Sequence, residues 1–162
     1  MSSDLTERPE YPLGPPLIGA LMRMPVDAIV ARMLAGLHDA GFTDLVAAHM
    51  MILRYPGPEN RRPSDLASET RMSKQAINYL LGQMERFGYL TRDDDANDHR
   101  SRRIHLTARG DAAGRTIRQT VVEIEAELAA ELGRARFEQL RTLLTELNAT
   151  ALVRGHHGDV IE

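Results

Sequence analysis

The chain has 162 residues, of which 43% are hydrophobic and 4% aromatic, and it contains no Trp and no Cys. This composition favours a mainly helical protein with an aliphatic core, and the absence of thiols excludes disulfide bonds, zinc–thiolate sites and thiol redox chemistry. The formal net charge is −3, but residues 61–118 hold 12 Lys and Arg against 8 Asp and Glu, so the middle is basic and the ends are acidic. This distribution favours phosphate binding in the middle of the chain, although an ordinary solvated surface can show the same split.

The N-terminus is polar and rich in proline, and residues 1–16 are predicted to form a flexible arm. It lacks the basic start and apolar run of a signal peptide, and no apolar stretch elsewhere approaches ~18 residues. We therefore expect a cytoplasmic protein without a membrane partner. At the other end, residues 155–162 are predicted to form a loose tail.

Two helices are predicted after the arm. Apolar residues follow helical spacing over residues 17–37, and Pro25 is expected to kink or divide this first helix. Gly41 suits the C-terminal cap of that helix. The Thr-Asp pair at residues 43–44 predicts the start of a second helix that runs to about Tyr55.

A helix-turn-helix followed by a hairpin is predicted in the middle of the chain. Short helices over residues 62–70 and 73–87 are joined by a tight turn. Residues 89–92 and 102–107 then predict two short strands, because apolar and polar side chains alternate in the second of them. The segment between the strands supplies the hairpin loop, and the acidic run 93–95 is expected at the back of that turn. Such a hairpin is a wing.

Two amphipathic helices are predicted at the C-terminal end. Thr107 caps the first of them, which ends near Gly133. Its apolar stripe consists of Ile117, Val121, Ile124, Leu128 and Leu132. The last helix carries Phe137, Leu140, Leu144, Leu147 and Ala151 at helical spacing. Because neither stripe is stable in water, these helices must pack against each other, against the first helix or against a second copy of the chain.

The helix predicted over residues 73–87 has an apolar and a polar face. The apolar face, which we expect to be buried, consists of Ile77, Leu80, Leu81 and Met84. The polar face carries Gln75, Asn78, Tyr79 and Arg86, with Ser73, Lys74 and Ala76 near the N-terminus, and Arg62 joins Arg86 as a candidate for DNA backbone contacts. Gln and Asn pair well with adenine, Lys with guanine or phosphate, and Ala with the thymine methyl group. The pattern favours base readout in a DNA major groove, although an ordinary solvated helix face has the same residue types.

Between residues 62 and 110 a series of side chains follows in fixed order. The series is Leu66-Ala67, Ser73, Met84-Glu85, Gly88, Tyr89-Leu90, Arg92, Asp98-His99-Arg100, Leu106-Thr107 and Gly110. In this order and spacing the segment resembles the multiple-antibiotic-resistance regulator (MarR) family. The chain departs from the family pattern at Tyr79 and His99, where Arg is frequent, and at Ala96, where Pro is common.

The resemblance implies a mainly α (α+β) fold with a winged helix-turn-helix lobe and a helical dimerisation domain formed by the N- and C-terminal helices. The implied domains are an arm at residues 1–16, dimerisation helices at 17–42 and 108–154, the DNA-binding lobe at 43–107 and a tail at 155–162. It further implies a transcriptional regulator, in the first instance a repressor, that binds a pseudo-palindromic operator in double-stranded DNA as a homodimer.

The resemblance also assigns the wing a role in DNA binding. Arg100 is implied to enter the minor groove, with Asp98 holding it by an ion pair. An arginine senses the narrow, electronegative groove of A/T-rich DNA, and a carboxylate partner limits the rotamers lost on binding. The other implied wing residues are His99, Arg102 and Arg103.

An effector site is the least constrained prediction. Members of the family commonly release DNA when a small aromatic molecule binds, and Met33, His38, His49 and Met50 are the candidate lining of such a pocket. The same methionines also suit a plain hydrophobic core, with both histidines at the surface or hydrogen-bonded. The histidines share no ligand spacing, so no metal site and no cofactor are expected.

An enzyme and a protein-binding module are the two alternatives to DNA binding. No nucleophile–base set, glycine-rich phosphate loop or carboxylate pair indicates an enzyme or a catalytic residue. A winged-helix module that binds proteins and has no DNA role stays open as the alternative.

Overall fold

The computed structural model describes residues 14–53, 56–95 and 98–153, with the side chains of residues 94–101 outside that description. In chain order the elements are α1 (Ile18–Asp39), α2 (Ala47–Leu53), α3 (Pro63–Thr70), α4 (Lys74–Arg86), β1 (Leu90–Asp95), β2 (Asp98–Leu106), α5 (Ala108–Leu132) and α6 (Arg134–Asn148). The predicted mainly helical class with one small antiparallel sheet is confirmed. Over the described residues, every helix is too short or too polar to span a lipid bilayer.

Helix α1 is continuous through Pro25, so of the two predicted effects, a kink or a division, the division does not occur. A proline inside a helix frees the carbonyl four residues earlier, here that of Leu21. Leu21 is exposed, and water can therefore satisfy this carbonyl. The buried residues of α1, Met33 and Leu37, lie in its C-terminal half, where the helix packs on the core.

Helix α2 begins at Ala47, three residues after the predicted N-cap. Its start is held by a side chain from inside the helix, because Nδ1 of His49 accepts the backbone N–H of Val46 at 3.1 Å. Asp44 is used elsewhere and accepts hydrogen bonds from Tyr89 and Arg109. The predicted helix end near Tyr55 lies outside the described residues.

Helices α3 and α4 form the predicted helix-turn-helix, with the predicted caps. Asp65 accepts the backbone N–H of Arg62 at 3.2 Å, and Pro63 occupies the first turn of α3. Arg71 adopts a left-handed conformation (φ 56°) in the turn. The hydroxyl of Ser73 then accepts the N–H of Ala76 at 3.1 Å and caps α4.

The two strands of the wing are longer than predicted, and the acidic run lies in β1 instead of in the turn. Asp93 pairs with Arg103 and Asp94 with Arg102 across the antiparallel ladder. At Asp93 and Arg103, opposite charges occupy facing positions of the two strands, which favours their pairing. On the other edge of β2, Ile104 exchanges backbone hydrogen bonds with residues 60–61, at 2.7 Å and 3.0 Å.

Helix α5 joins the lobe to the N-terminal helix. As predicted, the Thr107 hydroxyl caps it by accepting the N–H of Gly110 at 3.1 Å, and it ends next to Gly133. Farther along, α5 packs against α1, where Gly36 lies so close to Thr120 that a Cβ on the glycine would be 2.6 Å from the threonine hydroxyl. Helix α6 packs on α5 through the buried Phe137.

Candidate nucleic-acid interface

The polar face of α4 is exposed, and its opposite face is core. Ile77 and Leu81 have no exposed surface, whereas Gln75, Asn78 and Tyr79 lie exposed one turn apart on the other side. Arg86 continues the same stripe, also exposed. A helix of this kind, with its N-terminal half exposed and its back packed on a second helix, suits entry into a DNA major groove.

Asn78 is held in one orientation by two neighbours. Its Nδ2 donates to the carbonyl of Lys74 at 2.9 Å, and its Oδ1 accepts from Nη1 of Arg92 at 3.4 Å. Arg92, in β1, is in turn fixed by Glu85 of α4, whose carboxylate accepts from Nη2 at 2.6 Å. Because an amide nitrogen carries two hydrogens, Asn78 keeps one donor for a base. The sequence did not predict that Arg92 and Glu85 orient Asn78, because these contacts join a strand to a helix and leave no local sequence signal.

Tyr79 is held in a similar way from the C-terminal side. Its hydroxyl accepts a hydrogen bond from Nε2 of Gln83 at 3.2 Å, and Oε1 of Gln83 lies 3.2 Å from Nε2 of His49. His49 is 1% exposed, whereas Tyr79 is 64% exposed. Sequence reasoning missed Gln83, although its i+4 spacing from Tyr79 places the two side chains together on the helix.

The remaining residues predicted for the recognition helix lie at its first turn. Ser73, Lys74 and Gln75 are exposed, and Ala76 is half-buried. The hydroxyl of Ser73 already accepts one of the free N–H groups of this turn. Lys74 and Gln75 therefore provide the exposed polar side chains at this end of the helix.

The residues predicted to contact DNA from outside α4 differ in how exposed they are. Arg102 is exposed, whereas Arg103 is half-buried and donates to the carbonyl of Asn60 at 2.8 Å. Arg62 is half-buried at the N-cap of α3. The side chains predicted for the wing tip, Asp98, His99 and Arg100, lie outside the described residues.

The four residues proposed for an effector pocket do not share one environment. Met33, His49 and Met50 are buried, the two methionines in the hydrophobic core. His38 is exposed, and its Nε2 lies 2.7 Å from the carbonyl of Leu45. The effector pocket stays a prediction. Within the described residues, no group of three His, Asp or Glu side chains is arranged to hold a metal ion.

A polar cluster around the buried Tyr89 joins the lobe to α5. Tyr89, with no exposed surface, donates its hydroxyl proton to Asp44, and Arg109 donates to Asp44 at 3.0 Å and to the Tyr89 oxygen at 3.0 Å. The guanidinium also lies over the Tyr89 ring, 4.6 Å from its centroid. Burial, assisted by Asp44, raises the pKa of Tyr89 to about 12, so the phenol stays protonated. The cluster fixes the position of α4 and the wing relative to α5.

Residues 41–101, which span α2 to the start of β2, match the sequence model of the MarR family. The predicted resemblance to the MarR family is confirmed. Members of the MarR family are transcriptional regulators and not enzymes, and the match over residues 41–101 supports a role in transcriptional regulation. The comparison with curated protein sequences gave no match.

Solved structures of MarR-family and related regulators share the fold. Apo MarR from E. coli has a TM-score of 0.66 at 22% identity, covering 82% of this chain and 97% of that one. The transcriptional repressor CouR, bound to a 23-mer DNA duplex, has a TM-score of 0.61 at 19% identity, covering 81% and 92%. A MarR-family protein of Mycobacterium tuberculosis in complex with salicylic acid has a TM-score of 0.61 at 23% identity, covering 82% and 97%.

Proposed function

We propose that the chain is a sequence-specific DNA-binding repressor that acts as a homodimer on a pseudo-palindromic operator. The observation that carries the proposal is the exposed stripe of Gln75, Asn78 and Tyr79 on a helix whose other face is core. Two of these three side chains are oriented by neighbours before any ligand binds. Preorganised polar groups lose less conformational entropy on binding, which suits direct base readout.

A two-fold arrangement would use the helices outside the lobe. Helices α1 and α6 expose large apolar side chains, at Ile18, Leu21, Met24, Val26, Leu140, Leu143 and Leu144, and Leu17 at the N-cap of α1 is exposed as well. Apolar surface of this extent, on two helices that do not face DNA in the proposed mode, favours burial against a second copy. Two lobes would then present two α4 helices to successive major grooves, about one helical turn of DNA apart.

Release by a small aromatic molecule is the second part of the proposal. The structure of the M. tuberculosis protein with salicylic acid supports this class of ligand. A titration of the protein–DNA complex with salicylate should raise the fraction of free DNA, whereas cyclohexanecarboxylate, which has no aromatic ring, should not. Equal responses to both acids would remove the aromatic effector from the proposal.

The DNA-binding part is tested by selection of duplexes from a random library, followed by affinity measurements at several salt concentrations. We expect a pseudo-palindromic site to be enriched and the logarithm of the affinity to fall linearly with that of the salt concentration. Gln75→Ala should relax discrimination at one base pair of each half-site by ~1–3 kcal/mol and leave the other positions unchanged. If no sequence is enriched and Gln75→Ala leaves the cellular output unchanged, a protein-binding winged helix explains the chain better.

A further inference from the structure

Three hydrogen bonds form a continuous path from the interior of the lobe to the exposed face of α4. The backbone N–H of Val46 donates to Nδ1 of His49 at 3.1 Å. Nε2 of His49 lies 3.2 Å from Oε1 of Gln83, and Nε2 of Gln83 donates to the hydroxyl oxygen of Tyr79 at 3.2 Å. The path therefore begins at a backbone group, which can only donate, and ends at a hydroxyl that is exposed.

The direction of each bond follows from that first donor. Because Nδ1 of His49 accepts the N–H of Val46, the neutral imidazole carries its hydrogen on Nε2. Nε2 then donates to the amide oxygen of Gln83, which turns the amide nitrogen of Gln83 towards Tyr79. The oxygen of Tyr79 accepts from that nitrogen, so its own hydrogen is directed away from Gln83.

The imidazole is fixed in this orientation by its surroundings. His49 is 1% exposed, and the ring of Phe87 packs against it edge-on, with the centroids 6.1 Å apart. Turning the ring over would leave the N–H of Val46 without its acceptor at the start of α2. Burial also lowers the pKa of His49 below 6.5, which keeps the imidazole neutral at neutral pH.

We propose that His49 and Gln83 are positioning residues that make the Tyr79 hydroxyl a hydrogen-bond donor towards DNA, so that Tyr79 selects guanine or thymine over cytosine. In the major groove, guanine presents two acceptors and thymine one, whereas cytosine presents an amino group. A hydroxyl that donates can form a hydrogen bond with guanine or thymine but not with the amino group of cytosine. The inference rests on the proposed function and adds to it the chemical preference of one base position.

Gln83→Glu reverses the polarity of the path and is the decisive variant. A carboxylate accepts hydrogen bonds only, so at pH 8 it would accept from both His49 and the Tyr79 hydroxyl. Tyr79 would then present its lone pairs to the groove and prefer an amino group. Tyr79→Phe removes the hydroxyl, and Arg86→Gln lowers the charge of the same helix by one without altering the path.

The experiment compares the base preferences of these variants in duplex selection at pH 8, with far-UV circular dichroism to verify folding. In the wild type, one position of each half-site should favour guanine or thymine over cytosine, and Tyr79→Phe should reduce this preference by about five- to tenfold at that position alone. Gln83→Glu should shift it to cytosine or adenine. Arg86→Gln should weaken binding to all sequences and keep the wild-type preference.

The outcomes separate this inference from the proposed function. If the wild type selects no sequence, both fail. If it selects a sequence whose base preferences are unchanged by Tyr79→Phe, or if Gln83→Glu keeps the wild-type base at the affected position, the donor role of Tyr79 is wrong while DNA binding stands. NMR of the imidazole nitrogens in the folded wild type measures the tautomer of His49 independently. A hydrogen on Nδ1 instead of Nε2 would also overturn the inference.

Discussion

At the residue scale, Gly110 is placed where α5 passes the start of β1. A Cβ at this position would lie 2.0 Å from the backbone oxygen of Tyr89, a distance that no side-chain rearrangement relieves. The same carbonyl accepts the N–H of Thr107 at 3.0 Å, and the Thr107 hydroxyl donates to the carbonyl of Gly88 at 2.6 Å. The Leu-Thr-x-x-Gly pattern seen in the sequence is thus a helix cap combined with a close backbone approach.

Gly110→Ala should therefore destabilise the protein by about 1–3 kcal/mol or more, since the helix must move away from β1. Gly114→Ala, one turn later in α5, is the matched control, because a Cβ there meets nothing within 4 Å. It should stabilise the fold by about 0.5–1 kcal/mol through the lower entropy of the unfolded chain. Urea denaturation measures both changes, and equal effects would contradict the close approach.

His49 gives the fold a dependence on pH that can be assigned to one side chain. Burial is the main cause that lowers its pKa below 6.5, while the Gln83 hydrogen bond and the charge of Asp44 act in the opposite direction. The unfolded chain then binds a proton more readily than the folded one. The contribution of neutral His49 to the free energy of unfolding is therefore complete above pH 6.5 and is lost as the pH falls through 6.5 towards the folded pKa.

We expect the free energy of unfolding of the wild type to fall between pH 7.5 and 5.5 by more than that of His49→Gln. For a single proton the difference in slope is at most about 1.4 kcal/mol per pH unit. Urea titrations at four pH values measure it. Parallel pH profiles for the two proteins would show that His49 titrates alike in both states.

At the element scale, α4 contains a glycine in the middle of its exposed stripe. A Cβ at Gly82 meets nothing within 4 Å, and the residue lies one turn after Tyr79 and one turn before Arg86. Glycine inside a helix costs roughly 0.5–1 kcal/mol relative to alanine, and the fold offers no packing reason for it. In the proposed binding mode, close approach of DNA to the helix backbone would account for a glycine at this position.

Gly82→Ala should therefore stabilise the free protein by about 0.5–1 kcal/mol and at the same time weaken operator binding by about tenfold, or ~1.4 kcal/mol. Opposite signs in stability and affinity separate a steric effect at the interface from a folding defect. Gly114→Ala, which shares the stabilising effect but lies in α5, should leave the affinity unchanged. Unaltered operator binding by Gly82→Ala would mean that DNA does not approach this part of α4.

Elements whose signals are local were predicted well from the sequence, and those that depend on distant partners were not. Ser73 and Thr107 cap α4 and α5 through atoms three residues away, so spacing alone identified both. The start of α2 was misplaced because Asp44 is engaged by Tyr89, 45 residues later. Asp93 of β1 likewise faces Arg103 of β2, a partner ten residues later that local signals do not reveal.

In the candidate site, too, local features were predicted from the sequence and contacts between elements were not. The periodicity of α4 separated its buried and exposed faces, which placed Gln75, Asn78 and Tyr79 on one exposed stripe. What orients these side chains was not predictable, because Arg92 comes from a strand and His49 from another helix. Side-chain geometry across elements follows from packing, and periodicity carries no information about it.

At the scale of the whole molecule, α6 is attached to α5 by few contacts and leaves most of its apolar residues uncovered. Phe137 is buried, and Arg141 pairs with Glu125 of α5 at 2.8 Å. Leu140, Leu143 and Leu144 remain 40%, 54% and 42% exposed. In the proposed homodimer these leucines would be covered by the partner.

Replacing the three leucines by Gln in one variant should convert a dimer into a folded monomer. In a two-fold interface each residue is buried twice, so every substitution removes apolar burial on both sides of the axis. Sedimentation equilibrium at micromolar concentration measures the change in mass, and far-UV circular dichroism verifies that the helices persist. The monomer should also bind a full operator no more tightly than a half-site, since the gain from two linked recognition helices is lost.

Val46→Gln is the control for the change in hydrophobicity, because Val46 is 50% exposed but lies in the lobe. It should remain dimeric. A triple variant that keeps the mass of a dimer would place the interface elsewhere, with Leu17 at the N-cap of α1 and the exposed Ile18 and Leu21 of that helix as the next surface to alter. A wild-type chain that sediments as a monomer would contradict the proposed homodimer. A single lobe would then have to supply all of the sequence specificity. The exposed stripe of α4 is short, so one lobe can read only a few base pairs.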